Sequence, residues 1–60
     1  MERIIVYNAD EELLQEINEA LDDKFIDYDF DGDDRYMVDE DYVDEAIRIM
    51  ESVGADVDIA

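Results

Sequence analysis

The stretch Ile26-Asp27-Tyr28-Asp29-Phe30-Asp31-Gly32-Asp33-Asp34-Arg35-Tyr36-Met37-Val38 decides the fold. Ile26, Tyr28 and Phe30 alternate with Asp27, Asp29 and Asp31, the two-residue period of a strand buried on one face. Asp31-Gly32-Asp33 has turn chemistry, and Arg35 to Val38 reads as the returning strand of a hairpin. Pairing Tyr28 with Tyr36 sets Ile26 against Val38 and Asp29 against Arg35. That register puts apolar pairs inside and an ion pair outside.

On the N-terminal side, residues 3 to 7 (Arg-Ile-Ile-Val-Tyr) are apolar on both faces, as a central strand requires. Asn8 is placed to cap a following helix, with Glu11 three residues on as in a capping box. Leu13, Ile17, Ala20 and Leu21, with Leu14 beside them, recur at helical spacing and make one apolar stripe. Asp10, Glu12, Glu16, Glu19 and Asp23 form the opposite face. Carboxylates in the first turn suit the positive helix end, whereas Asp22 and Asp23 oppose the negative one.

On the C-terminal side, Asp39 is a good N-cap for a second helix with the stripe Val43, Ala46, Ile47, Met50 and Val53, stopped by Gly54. Ala55, Val57 and Ile59 then alternate with Asp56 and Asp58 as a last strand. The fold class is therefore α+β, in the order βαββαβ of the ferredoxin-like arrangement. It implies a four-stranded antiparallel sheet with both helices on one face, the first strand central, in a single domain spanning residues 1–60. The other face stays open. Ile4 with Val6, or Ile5 with Tyr7, would lie on it near Met37, a surface for a homodimer or another partner, or else ordinary scattered apolar area.

Composition narrows function. The 60 residues carry 21 Asp and Glu against four Lys and Arg, for a net charge of −17. Cys and His are both absent, which removes disulfides, thiolate metal sites and the commonest general base. The longest apolar run, Ile4 to Tyr7, is too short for a membrane span or a signal-peptide core. An anionic surface is repelled by phosphate, so nucleic acid and anionic lipid are poor partners. Catalysis is not expected: Ser52 is the sole serine, no base accompanies it, and no phosphate-cradling glycine loop is present. Two carboxylates doing acid–base work need a cleft that drives their pKa values apart, and a small two-layer domain offers none.

Asp27 to Gly32 also reads D-x-D-x-D-G, the opening of a calcium-binding EF-hand loop. Asp33 would supply the seventh-position carbonyl, but the twelfth position, a bidentate Glu in that loop, is Val38. The flanks alternate like strands where an EF-hand needs helices. A calcium module on this segment is one alternative, and an acidic hairpin face needing no metal or other cofactor is the simpler one.

The charge is unevenly spread. Residues 22 to 45 hold −10 of the −17, the first 21 residues −5 and the last 15 −2. On a strand, alternate residues repeat every ~6.6–6.8 Å, about two base steps of a nucleic-acid strand at ~3.4 Å each. Asp27, Asp29 and Asp31 would then form a row of carboxylates spaced on the scale of phosphates. In composition the chain resembles the small acidic DNA-mimic inhibitors that phages encode, of the anti-CRISPR and anti-restriction type. The resemblance covers the whole chain and rests on no sequence motif. It implies occupation of the groove of a basic nucleic-acid-binding protein, in the cytoplasm of a bacterial host. The expected surface is Asp27, Asp29, Asp31, Asp33 and Asp34, with Asp39, Glu40, Asp41, Asp44 and Glu45. Tyr28 or Tyr36 is an aromatic anchor there, or a core residue as its alternation suggests. A halophile-type solvated surface, or a designed acidic domain with no evolved partner, is the bland counterpart.

Overall fold

Strand β1 (Glu2–Val6) is central, and its two faces have different fates. Ile4 and Val6 are buried, while Ile5 between them is half-buried. The computed structural model describes residues 1–32 and 34–60. After β1 come helix α1 (Glu11–Asp23), strands β2 (Tyr28–Phe30) and β3 (Arg35–Val38), helix α2 (Val43–Ser52) and strand β4 (Val57–Ile59). The strands form one antiparallel sheet in the order β2-β3-β1-β4. That order and the βαββαβ connectivity match the ferredoxin-like arrangement.

One apolar cluster holds the layers together. From the sheet it takes Ile4, Val6, Tyr36 and Val38; from the helices Ile17, Leu21, Val43, Ala46 and Met50; and from the connections Ile26 and Ala55. Both helices thus cover the same sheet face. Alternation leaves Arg3, Ile5, Asp29, Arg35, Met37 and Asp58 to the open face. The apolar pair on that face is therefore Ile5 beside Met37, and Ile4 with Val6 belong to the core.

The hairpin register differs from the sequence expectation by two residues. Tyr28 faces Val38, Asp29 faces Met37 and Phe30 faces Tyr36, with Asp31 N–H donating to the Arg35 carbonyl at 3.0 Å. A shift of two keeps every side chain on its face, so the hydrophobic pattern cannot tell the two registers apart. The observed one gains aromatic contact. The Phe30 and Tyr36 rings lie 4.9 Å apart, and Tyr28 lies 5.7 Å from Phe30 and 5.5 Å from Tyr36. Such pairs contribute about 0.5–1.5 kcal/mol each beyond area burial. Asp29 and Arg35 do not form the expected ion pair. Instead Arg3 Nε lies 2.7 Å from Asp31 Oδ2.

An aspartate caps α1, whereas α2 begins after Tyr42 with no side-chain cap, so Asp39 is not the N-cap of the second helix that its position suggests. Asp10, not Asn8, caps α1, its carboxylate accepting from Leu13 N–H at 2.9 Å. A charged oxygen suits the positive helix end better than a neutral one. Asn8 is engaged elsewhere: its Nδ2 donates to the Gly54 carbonyl and its Oδ1 accepts from Asp56 N–H, tying the end of β1 to the approach to β4. Asp39 accepts from Asp41 N–H at 3.0 Å and opens a single 3-10 turn, Glu40–Tyr42, that leads into α2.

Both helices stop in the same way. In α2, Gly54 N–H donates to Glu51 O and Ala55 N–H to Met50 O, a Schellman closure with Gly54 at φ 95°. In α1, Phe25 N–H donates to Asp22 O and Ile26 N–H to Leu21 O. The left-handed position in that second closure is held by Phe25, at φ 57°. A side chain there costs roughly 1–2 kcal/mol relative to ordinary helical backbone.

Candidate functional site

The topology gives the sheet two ends. At one, β1 begins and β3 stops, since Glu2 and Tyr28 both face Val38. Because α1 runs back from the far end and α2 starts just after β3, the C-terminus of α1 and the N-terminus of α2 meet there. At the other end lie the β2–β3 turn and the start of α1.

This separates the ten sequence-predicted residues. Asp27, Asp39, Glu40, Asp41, Asp44 and Glu45 all sit at the first end, and all are exposed. Glu2, Asp22 and Asp23, exposed as well, join them. Those three were not part of the sequence-predicted surface: the return of α1 across the sheet brings in Asp22 and Asp23, and the pairing of β1 with β3 sets Glu2 beside Val38. Against these nine carboxylates the same end carries one basic side chain, Lys24. Asp31 and Asp34 belong to the opposite end, where the Asp34 carbonyl accepts from Val6 N–H at 2.8 Å. Asp29 lies on the open face between the two ends. Asp33 falls outside the described residues.

The row Asp27, Asp29, Asp31 is partly neutralised. Asp31 is paired with Arg3, and the Asp29 carboxylate accepts from Phe30 N–H at 2.8 Å. Arg3 and Arg35 both rise from the open face beside it, so two of the four basic side chains of the sequence lie on that face. The dense carboxylate surface is the sheet end with the two helix termini, not the hairpin.

Segment Asp27 to Gly32 passes through β2 rather than a loop between helices. Strand geometry spreads the alternate carboxylates along a line instead of converging them on a cation. Among the described residues no group of three or more Asp or Glu is placed to hold a metal ion. A hollow of about 1040 Å³ lies at the far end between the start of α1 and the hairpin. Val6, Ala9, Leu14 and Phe30 line it together with Asp10, Glu11, Asp34 and Arg35. It holds no serine.

The tyrosines divide sharply. Tyr36 is fully buried, and its hydroxyl donates to Asn18 Oδ1 at 2.8 Å, so it is a core residue and no anchor. Burial, with a smaller contribution from Tyr28, pushes its pKa from 10.0 up to about 12. Tyr28 is half-buried and its pKa is also raised, by burial and then by the Asp22 carboxylate. The exposed aromatics are others. Phe25 is 93 % exposed and Tyr42 48 %, both at the acidic end, while Tyr7 and Phe30 border the far hollow. Phe25 was not legible as a surface residue. It falls four positions after Leu21, in phase with the α1 stripe, and only the early end of the helix turns it outward.

No protein-family model, curated protein or solved structure matches this chain. No helix of the described residues is long and apolar enough to cross a membrane.

Proposed function

We propose that the chain is an acidic mimic of nucleic acid. It occupies the basic groove of a nucleic-acid-binding protein, a host defence or DNA-processing enzyme such as a CRISPR effector, and blocks the substrate competitively. The observation that carries this reading is the concentration of nine exposed carboxylates against one lysine at a single end of the sheet.

Magnitudes support it. The surface of 4041 Å² carries a net charge of −17, on the order of one charge per ~240 Å². Duplex DNA carries one per ~1.7 Å of axis, which on a rod of roughly 20 Å diameter is about one per ~110 Å². The molecular average is somewhat under half the DNA value, and the acidic end lies above that average. The extents of 26 × 23 × 16 Å are on the same scale as the width of a duplex. An evenly solvated halophile-type surface would not leave the open sheet face with two of the four basic residues while one end collects nine acids.

On this reading the protein is a binding module and not a catalyst, works without a cofactor, and acts in the cytoplasm of a bacterial host. The test is capture from bacterial lysate at low salt, followed by elution with stepwise salt and then with duplex DNA. Recovery of one nucleic-acid enzyme that DNA releases at modest salt is the expected result. A smear of basic proteins, all lost together as salt rises, would refute the proposal.

A further inference from the structure

The two Schellman closures form an internal control. They have the same hydrogen bonds, and the residue after each left-handed position, Ile26 after α1 and Ala55 after α2, is buried. At the left-handed position α2 uses Gly54, the residue for which that conformation is free of strain. The chain uses Phe25 in α1, although its side chain is 93 % exposed and gains almost no burial. The fold therefore loses on both counts: backbone strain without packing, and a large apolar ring in water. A local rule broken with no gain to stability points to a role outside the fold.

From this we infer that Phe25 is an apolar anchor, inserted on binding into a hydrophobic pocket of the partner that is rimmed by Lys and Arg side chains. The inference rests on the mimic reading for the class of partner, and charge complementarity fixes the rim. Phe25 follows Asp22 and Asp23 and precedes Asp27, so a basic surface that meets those carboxylates meets the ring as well. Its position on a closure locked by two backbone hydrogen bonds holds the ring outward without the entropy cost of ordering a loop. Burying a phenyl ring adds an apolar contribution of roughly 10- to 100-fold in affinity, and that contribution does not depend on ionic strength as the carboxylate contribution does.

Two measurements decide it. In the first, Phe25→Gly is compared with the unaltered chain in thermal unfolding. The variant is expected to melt at the same or a higher temperature, and a clear drop would show that the ring serves the fold and overturn the inference. In the second, p-benzoylphenylalanine replaces Phe25 in one chain and Asp44 in another, and each is irradiated in bacterial lysate with and without excess duplex DNA. Cross-linked peptides are then identified by mass. The expected result is the same nucleic-acid-binding protein from both positions, suppressed by DNA, with the position-25 adduct on an apolar residue flanked by Lys or Arg. Cross-linking from position 44 alone would leave the mimic reading standing and overturn the anchor. Cross-linking only to other copies of this chain, or to nothing that DNA suppresses, would overturn both. Against the captured protein, Phe25→Gly should weaken binding by a similar factor at every salt concentration; a loss confined to low salt would contradict an apolar anchor.

Discussion

Tyr36 shows how one side chain serves both layers of the fold. Its ring fills the core between the sheet and α1, and its hydroxyl reaches Asn18. Tyr36→Phe should cost about 1 kcal/mol, the net worth of a buried hydrogen bond, read as a lower denaturant midpoint at unchanged slope. The raised pKa adds a pH dependence. The unfolded chain releases the phenolic proton near pH 10.0, while the folded chain holds it to about 12. Stabilisation from the neutral phenol is therefore complete below pH 10 and is lost as pH rises through that window. Tyrosinate absorbance and circular dichroism should change together there, and Tyr36→Phe should remove most of that slope. Gly54→Ala tests the other end of the scale: the space beside Gly54 is open, so backbone strain alone should cost about 1 kcal/mol. Core residues such as Tyr36 were legible in the alternation. The choice of Asp10 over Asn8 as the α1 cap was not, because both residue types cap helices and the outcome depends on Asn8 having partners at Gly54 and Asp56, 46 and 48 residues away.

Among the elements, α1 carries the clearest conflict between local and global preference. Its last turn holds Asp22 and Asp23 and no basic residue, opposing the helix dipole, and it abuts the carboxylates that open α2. Asp23→Lys should stabilise the protein by about 0.3–1 kcal/mol at low ionic strength. The gain should shrink as salt is added, since exposed charges more than a Debye length apart are screened. Urea unfolding at two salt concentrations measures both effects. All six elements and their order were legible from the periods of the apolar residues, because one buried face per element is what burial demands. The hairpin register was not. Shifts by two residues conserve the faces, and the aromatic packing that selects Phe30 opposite Tyr36 is a tertiary effect.

For the whole molecule, charge placement depends on topology more than on sequence position. The run from residue 22 to 45 looks like one acidic segment, yet the chain crosses the sheet twice within it. The fold sends Asp31 and Asp34 to one end and gathers Asp27, Asp39, Glu40, Asp41, Asp44 and Glu45 at the other. Six of the ten sequence-predicted residues are thus brought to one end, while Asp29 lies on the open face and Asp31 is paired with Arg3. Neutralising Asp39, Asp41 and Asp44 to Asn should therefore weaken partner binding and flatten its salt dependence more than the same change at Asp29, Asp31 and Asp34. It should also stabilise the isolated domain, because like charges are removed. The most direct test of mimicry is competition: duplex DNA is titrated into the captured enzyme at increasing concentrations of this protein. If the two share one groove, the apparent Kd for DNA rises in proportion to the protein added and no ternary complex forms. An unchanged DNA affinity with all three components in one complex would contradict the account.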